Sequence, residues 1–346
     1  MKKILAPLAA ALALTFGTGQ SLAQSQSDSK ASLFAESGSG FRAAILTPAT
    51  QAPALAISGA LSGATGSRAP GGTARVPSHL EGETGVAAGA ASLKWNVWGA
   101  LGQNNVGYSF QPARSSGRVN LVLGGIDYTF NNNVIVGVAY TDDRTSIGTD
   151  FVAGSVSGNG YSIAPYVAVP FGRNWVFDAS VGWGRNKLSQ IINPGAAAIT
   201  GNAVDARFFS SLALSYAAQI GKLQWTGKGM YLFSEDKVGQ FTLSNNTLMP
   251  ASTTRVAQLR LGGQLAYDAG GFAPYAGLTY IRDVQSPMQP VTGGLTPAND
   301  RDAWQVAVGV NFYSRGPLSG GVQYSQDFSR KEVKNNLLMA NIAYKF

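Results

Sequence analysis

Leu337-Leu-Met-Ala-Asn-Ile-Ala-Tyr-Lys-Phe346 ends the sequence with an alternation that decides the fold. Successive side chains of a β-strand point to opposite faces. One face of this segment is apolar and ends in an aromatic residue, with the members Phe346, Tyr344, Ile342, Ala340 and Leu338. The other face combines Lys345 with small and polar residues. A transmembrane β-barrel needs this pattern in nearly every strand, because lipid surrounds the wall and the lumen is polar.

The same period-two pattern recurs along residues 93–346. One such run sets Trp175 and Phe177 against Asp178. Counting runs of this kind predicts about twelve strands, the final segment included. Aromatic residues stand near both ends of the apolar faces, as in the run from Trp304 to Phe312. Membrane barrels place aromatic girdles at these two levels.

The lengths of the predicted connections alternate as well. Short turns lie near residues 131–133, 171–174, 221, 270–271 and 314–317. Long polar loops lie near residues 104–117, 146–158, 191–202, 239–254, 285–301 and 329–335. Outer-membrane barrels have short periplasmic turns and longer extracellular loops, whereas a soluble β-sandwich has no reason for this alternation. The sequence therefore predicts an all-β fold, a transmembrane antiparallel up-and-down β-barrel of about 12 strands.

Charged residues at inward positions of the predicted strands are expected to line a polar lumen. They are Lys94, Asp127, Asp178, Arg207, Lys228, Arg260, Asp327 and Lys345. Solvation of a water-filled channel explains such charges, and ion selectivity is the alternative. The pair Asp142-Asp143 is interpreted as a solvated strand end rather than as a metal site.

The N-terminal part divides into two segments. Residues 1–23 combine Lys2-Lys3, a short apolar run and the small residues around Ala23, which is typical of a secretory signal peptide. Residues 24–92 are rich in Ala, Gly, Ser and Pro, and they are predicted to form a flexible linker or short passenger. An apolar piece from Leu55 to Leu61 is suited to order against another surface.

The residue types restrict the chemistry that the chain can carry. With no cysteine there is neither a disulfide nor a thiolate metal site. The single histidine, His79, lies in the predicted linker, which argues against a histidine-dependent hydrolase at the rim of the barrel. The formal net charge is +8, but the basic residues are scattered, so no nucleic-acid partner is expected. We therefore expect no catalytic residue, no metal and no cofactor.

Short motifs of glycine and aromatic residues stand in a characteristic order along residues 93–346. They are Gly124-Gly-Ile-Asp-Tyr128, Val136-Gly-Val-Ala-Tyr140, Gly160-Tyr-Ser-Ile-Ala-Pro-Tyr166, Asp178-Ala-Ser-Val-Gly-Trp-Gly184, Ala273-Pro-Tyr-Ala-Gly-Leu-Thr-Tyr280 and Tyr344-Lys-Phe346. In these features the region resembles the autotransporter β-domain, the translocator of type V secretion. The resemblance implies a twelve-stranded barrel in the outer membrane of a Gram-negative bacterium, with an N-terminal segment threaded through the pore.

The resemblance also implies a function and a set of partners. The barrel is expected to anchor and translocate a short N-terminal segment to the cell surface. The alternative is a barrel without a passenger that acts as a narrow pore or surface structural protein, since only residues 24–92 precede the barrel. The pattern ending at Phe346 resembles the signal for the barrel-assembly machinery, and the expected partners are outer-membrane lipid, that machinery and periplasmic chaperones. The barrel is expected to be monomeric. Residues 24–92 contain no Asn, which disfavours the self-cleavage known in some members of the family.

Overall fold

A computed structural model of the chain describes residues 50–58, 94–111, 114–131, 133–150, 153–193, 198–286, 298, 300–313 and 317–346. The predicted signal peptide, residues 1–23, lies outside the described residues. So does most of the predicted linker or passenger, namely residues 24–49 and 59–92. The division of the chain into 1–23, 24–92 and 93–346 therefore stays a prediction.

The described part contains one helix and fourteen strands. Helix α1 comprises residues 50–58. The strands are β1 (Trp95–Tyr108), β2 (Ser115–Thr129), β3 (Ile135–Thr149), β4 (Gly154–Phe171), β5 (Trp175–Ile192), β6 (Ile199–Ile220), β7 (Leu223–Val238), β8 (Phe241–Thr242), β9 (Leu248–Met249), β10 (Ser252–Tyr267), β11 (Phe272–Gln285), β12 (Asp302–Tyr313), β13 (Leu318–Phe328) and β14 (Val333–Lys345). Across the described ranges, no helix has the length and apolar character needed to cross a membrane.

Twelve of the strands close into an antiparallel barrel, and β8 and β9 form a separate hairpin between β7 and β10. Each barrel strand pairs with the barrel strands before and after it, and β14 pairs with β1 to complete the circuit. At this seam Trp95 and Phe346 exchange both backbone hydrogen bonds, at 3.0 and 2.9 Å. Closure satisfies the backbone groups that an open sheet would leave exposed to lipid. The prediction of a twelve-stranded antiparallel barrel is confirmed.

The barrel has two distinct ends. The turn end carries the first residue of β1, the last residue of β14 and the short connections such as residues 172–174 and 221–222. In two of these turns Gly172 and Gly221 adopt φ angles of 59° and 60°, which glycine reaches without steric cost. The loop end carries the other connections, from residues 109–114 to residues 329–332.

The two faces of the wall differ as the alternation predicts. On β1, Leu101 points outward and is 61% exposed, whereas Trp98 points into the lumen and is 5% exposed. On the final strand, the outward face carries Leu338, Ala340, Ile342, Tyr344 and Phe346. An apolar outer face is stable only against lipid, so the burial pattern agrees with a membrane barrel. The role of these five residues as an assembly signal stays a prediction.

Aromatic side chains ring the outer surface at the turn end. Trp175 packs edge-on against Tyr216 with ring centroids 4.9 Å apart, and Tyr216 lies 5.6 Å from Trp225. Eight residues separate Trp175 from Trp183 along β5, a length of about 26 Å at 3.3 Å per residue. The strands tilt, so the height along the membrane normal is smaller than this. The spacing fits two girdles on either side of an apolar band.

The strands extend further at the loop end than the sequence predicted. β3 continues to Thr149 and β4 begins at Gly154, where a loop was predicted over residues 146–158. The predicted loop over residues 239–254 instead contains the β8–β9 hairpin. The loop predicted over residues 146–158 was too long, because beyond the lipid both faces of a strand accept polar residues and the hydrophobic alternation fades.

Gly184 on β5 lies tightly against the backbone of β4. A Cβ at this position would overlap the Tyr161 carbonyl oxygen and lie 2.8 Å from Ser162 Cα. Backbone atoms cannot rotate out of the way, so we expect Gly184→Ala to destabilise the barrel by about 1–3 kcal/mol. The midpoint temperature for loss of heat-modifiable gel mobility should fall accordingly.

Gly124 on β2 provides the matched control for this substitution. A Cβ there would lie 3.8 Å from the Trp98 carbonyl oxygen, an ordinary van der Waals contact. Gly124→Ala should therefore leave the midpoint temperature nearly unchanged. Equal midpoints for the two variants would contradict the close approach of β4 and β5.

Candidate functional site

Helix α1 lies inside the lumen of the barrel. Its buried side chains include Ala54, which is fully covered, and Ile57. These residues belong to one apolar cluster with inward-facing side chains of the strands from β1 to β7, among them Trp98, Leu121, Ala139, Tyr166, Phe209 and Leu232. The nine described residues of α1 would not form a stable helix alone in water. Contacts with the barrel wall therefore stabilise α1.

The sequence of α1 suits a short buried helix. Ala52, Ala54 and Ala56 have the highest helix propensity and the small volume that a narrow lumen requires. Residues 50–58 were predicted to belong to a flexible linker, but in the structure they are helical.

A polar clamp holds α1 at the turn end. The Ser58 hydroxyl donates to Asp178 Oδ1 at 2.6 Å. Lys228 Nζ donates to Ser58 Oγ at 2.5 Å and to the Ser58 carbonyl oxygen at 3.1 Å. The Lys228 ammonium also lies 3.6 Å from Asp178 Oδ2. The three residues satisfy one another, so the C-terminus of α1 is tied to β5 and β7.

A second set of contacts holds α1 near the loop end. The Thr50 hydroxyl donates to Asp236 Oδ1 at 2.7 Å, and Gln51 Nε2 donates to Ser234 Oγ at 3.3 Å. Both acceptors lie on β7 and are buried. The polar residues at the two ends of α1 therefore contact polar residues of the lumen wall, and the apolar middle of α1 contacts the apolar residues of the wall.

These contacts give α1 a defined direction. Asp236, the partner of Thr50, lies two residues before the end of β7 at the loop end. Asp178, the partner of Ser58, lies three residues after the start of β5 at the turn end. The N-terminus of α1 therefore points to the loop end of the barrel and its C-terminus points to the turn end.

Arg207 on β6 forms the centre of an ionic cluster next to Thr50. Its side chain is 2% exposed. Nη1 lies 2.6 Å from Asp143 Oδ1, and Nε lies 3.2 Å from Asp205 Oδ2 and 3.6 Å from Asp236 Oδ1. One guanidinium thus joins three carboxylates from β3, β6 and β7. The interpretation of Asp143 as a solvated strand end is wrong, because β3 continues past it and turns its side chain into the lumen.

Apolar side chains cover this cluster toward the loop end. The β8–β9 hairpin buries Leu243 and Met249 against Ile192, Ile199 and Val238. The backbone N–H of Ser244 donates to the Thr200 carbonyl oxygen at 2.8 Å, which fixes the hairpin to β6. Arg207 and its carboxylates therefore lie between two apolar clusters, where charges attract more strongly than in water but are costly to leave unpaired.

The opposite wall, from β10 to β14, is polar and less covered. Arg260 Nη2 donates to Gln305 Oε1 at 2.9 Å, and Gln305 Nε2 donates to Asp327 Oδ1 at 2.7 Å. Asn335 Nδ2 donates to Asp327 Oδ2 at 3.1 Å. Arg260, Gln305 and Asp327 are half-buried, in contrast to the buried residues Asp178, Ser234 and Asp236 that contact α1. The helix thus packs against one side of the lumen and leaves a polar strip on the other.

The remaining predicted lumen residues lie at the turn end. Asp127 accepts hydrogen bonds from Asn96 Nδ2 at 2.9 Å and from the Tyr166 hydroxyl at 3.0 Å. Lys94 and Lys345 are half-buried at the turn-end rim, where Lys94 Nζ donates to Asn131 Oδ1 at 3.0 Å. Asp178, Arg207 and Lys228 thus form the contacts around α1, whereas Arg260 and Asp327 belong to the polar strip.

The sequence patterns did not indicate several residues of this site. Thr50 and Ser58 had no predicted role, and Asp205 and Asp236 were not predicted to lie with Arg207. Asp205 and Arg207 are two positions apart and share a face of β6, so the alternation contained a signal for that pair. Within the described ranges, no group of three or more His, Cys, Asp or Glu side chains is arranged to hold a metal ion. The expected absence of a metal, a cofactor and a catalytic residue stays a prediction.

A family model agrees with the barrel geometry. The model for the autotransporter β-domain matches residues 97–325, most of the wall from β1 to β13. Individually curated proteins give no significant sequence match.

Solved structures show the same fold at low sequence identity. The translocator domain of the autotransporter NalP from Neisseria meningitidis superposes with a TM-score of 0.63 at 15% identity, covering 74% of this chain and 90% of that chain. The β-domain of the Bordetella autotransporter BrkA gives a TM-score of 0.62 at 14% identity, with 73% and 100% covered. The transport unit of AIDA-I from Escherichia coli gives 0.54 at 10% identity, with 75% and 93% covered.

Proposed function

Because the chain belongs to the autotransporter β-domain family and forms an outer-membrane barrel, we propose that it anchors and exports its own N-terminal segment. The exported part comprises residues 24–49, which precede α1. Helix α1 stays in the lumen and joins this surface segment to the barrel.

The direction of α1 is the observation that carries the proposal. Outer-membrane barrels have short periplasmic turns and longer extracellular loops, so the loop end faces the cell exterior. Thr50, the first described residue of α1, contacts β7 near that end. From Ser58 to Thr50, α1 therefore runs toward the cell surface. This supports export of an N-terminal segment rather than its retention in the periplasm.

The position of Ser58 also limits how much of the predicted passenger, residues 24–92, is exported. Ser58 lies near the periplasmic turn end, and β1 begins with Trp95 at that end as well. Residues 59–93 thus connect two points on one side of the barrel. We assign residues 59–93 to the periplasmic side, so the surface segment is shorter than the predicted range 24–92.

The contacts of α1 fit a permanent anchor. Burying a side chain of the size of Ile57 contributes about 1.5–3 kcal/mol, and the Ser58 clamp adds hydrogen bonds to charged groups. Tension on an exported segment would pull α1 toward the loop end. The hydrogen bonds to Asp178 and Lys228 oppose that movement.

The proposal includes no catalytic step. The β-domain family is a transport domain, and the ionic groups around Arg207 and Lys228 hold neighbouring strands and α1 together. The closed wall offers no free sheet edge for a second copy, which favours a monomer in outer-membrane lipid. The outward apolar face of β14 is the proposed signal for the barrel-assembly machinery, with periplasmic chaperones escorting the chain.

A narrow pore is the second candidate function. The half-buried polar strip from β10 to β14, with Arg260, Gln305 and Asp327, favours a thin water-filled path beside α1. Conductance of the complete chain in planar bilayers tests this candidate, and a chain that conducts nothing would exclude it.

Protease shaving of intact cells tests the proposed export. One variant carries an epitope tag after residue 37, and a matched variant carries the same tag after residue 72. We expect the protease to remove the first tag on intact cells and to reach the second only after the outer membrane is permeabilised. Protection of both tags on intact cells would refute export. Removal of both would refute the assignment of residues 59–93 to the periplasm.

A further inference from the structure

The outer surface of strands β2 to β5 carries a group of basic residues near the loop end. Arg118 lies on β2, Arg144 on β3, and Arg185 and Lys187 on β5. All four side chains are exposed on the outward face. We call them the basic band.

The strand register brings the members of the band together. Arg144 on β3 is opposite Asn159 on β4, which is opposite Lys187 on β5. Arg144 and Lys187 are thus two strands apart in one row, about 10 Å between their backbones. The residue between them in this row is the polar Asn159, so no apolar side chain separates these two cations.

The outer two members lie close to this row. Arg118 is opposite Ser146, two positions from Arg144, so the two arginines are diagonal neighbours about 7–8 Å apart. Arg185 and Lys187 share a face two positions apart, about 7 Å along β5. Long flexible side chains at these separations can converge on one polyanionic group.

The cations of the band are not neutralised by the protein. Among the described residues, none of the four forms an ion pair. Asp142 is outward and half-buried nearby on β3, but it forms no ion pair with them in the described part of the chain. The band therefore presents four basic groups against one carboxylate.

Three outward basic residues on β7, β10 and β11 are paired with carboxylates, in contrast to the members of the band. Lys237 Nζ lies 2.6 Å from Glu235 Oε1, and Arg255 Nε lies 2.5 Å from Glu235 Oε2. On the following strands, Arg282 Nη1 lies 3.1 Å from Asp302 Oδ1. On these strands, carboxylates of the wall itself pair with the basic residues. On β2 to β5, the counterions for the basic band must come from a partner.

The band borders the lipid-facing surface. Trp183, which is 53% exposed, occupies the outward position directly below Arg185, and Tyr140 lies two outward positions below Arg144. Aromatic residues of this kind mark the boundary between acyl chains and headgroups. The band thus lies at the headgroup level on the side of the loop end, which faces the cell exterior.

We propose that the basic band binds the phosphate groups of the phosphorylated glycolipid in the outer leaflet of the outer membrane. Arginine presents a planar fork of N–H donors that matches phosphate oxygens, and charge-assisted hydrogen bonds of this type are short and strong. The acyl chains of the same lipid lie against Tyr140 and Trp183 below the band and against Tyr161, which is opposite Arg185. A soluble anion would satisfy the charges but not this apolar surface.

Binding of purified complete chain to vesicles containing diphosphorylated lipid A tests the proposal. The test variant combines Arg118→Gln, Arg144→Gln, Arg185→Gln and Lys187→Gln. We expect its affinity to fall at least roughly tenfold relative to the unsubstituted chain. We also expect binding to weaken as NaCl rises, because salt screens exposed charges.

The paired basic residues provide a matched control variant. Lys237→Gln, Arg255→Gln and Arg282→Gln remove three outward cations of the same end, and affinity should stay within about twofold. If the fourfold variant does not show heat-modifiable mobility, a double variant, Arg144→Gln with Lys187→Gln, replaces it. The double variant is also expected to lose affinity for the vesicles. Equal affinity for the band variant and the control would overturn the proposal. So would undiminished binding to lipid A whose phosphates have been removed, or complete competition by millimolar inorganic phosphate.

Discussion

The substitution Arg207→Met is expected to lower the free energy of unfolding by about 3–5 kcal/mol. Arg207 is the cation that joins Asp143, Asp205 and Asp236 in the wall of the lumen. Methionine preserves much of the side-chain volume but leaves the carboxylates without that cation between two apolar clusters. Unfolding in urea from lipid vesicles, followed by tryptophan fluorescence, measures the effect.

Two further variants isolate the charge as the cause. Arg282→Met removes an exposed cation paired with Asp302, and the free energy of unfolding should stay nearly unchanged. Adding Asp143→Asn and Asp236→Asn to Arg207→Met removes two of the three carboxylate charges that the arginine neutralised, so part of the lost stability should return. Similar losses for Arg207→Met and Arg282→Met would show that the buried cluster does not stabilise the barrel.

Deletion of residues 50–58 is expected to raise the conductance of the barrel in planar bilayers by roughly an order of magnitude. Eight-stranded barrels are filled by their own side chains, whereas barrels of 16 or more strands enclose an aqueous channel. A twelve-stranded barrel lies between these cases, and here α1 occupies the side of the lumen formed by β1 to β7. Removing the helix leaves that volume to water and ions.

A deletion of the same length outside α1 controls for shortening the chain. Residues 30–38 precede the helix, so their removal should leave the conductance of the complete chain unchanged. Equal conductance of the two deletion variants would mean that α1 does not obstruct the lumen.

The sequence predicted the wall of the barrel well for a physical reason. Lipid on one side and a polar lumen on the other impose a strict alternation, which runs such as Trp175 to Trp183 carry plainly. The strand ends were less predictable, because outward residues such as Ser155, Ser157 and Asn159 lie beyond the lipid and are polar. The hydrophobic pattern there no longer distinguishes a strand from a loop.

The lumenal helix was the least predictable element. Residues 50–58 are too few to show a helical period, and Pro53 argues against a helix unless it lies in the first turn. Only the apolar piece beginning at Leu55 indicated order. The helix depends on long-range contacts such as Ser58 with Asp178, and a single sequence does not reveal which of many inward polar residues meet.

The ionic cluster was predictable in part. Arg207 was assigned to the lumen from its position in the alternation, and the same rule applies to Asp205 on that strand. Asp143 and Asp236 come from β3 and β7, and their approach to Arg207 depends on register and closure of the barrel. Because a strand end was predicted at Asp142-Asp143, Asp143 was not recognised as one of these partners.

Cross-linking within native outer membranes tests the direction of α1 most directly. The chain contains no cysteine, so paired substitutions provide the only thiols. Thr50→Cys with Asp236→Cys and Ser58→Cys with Asp178→Cys should be joined by a bifunctional thiol reagent of about 5 Å, because these side chains are in contact. The exchanged pairs, Thr50→Cys with Asp178→Cys and Ser58→Cys with Asp236→Cys, should not react, since α1 spans about 12 Å. Cross-linking of the exchanged pairs instead of the contacting pairs would contradict a helix whose N-terminus points to the cell surface.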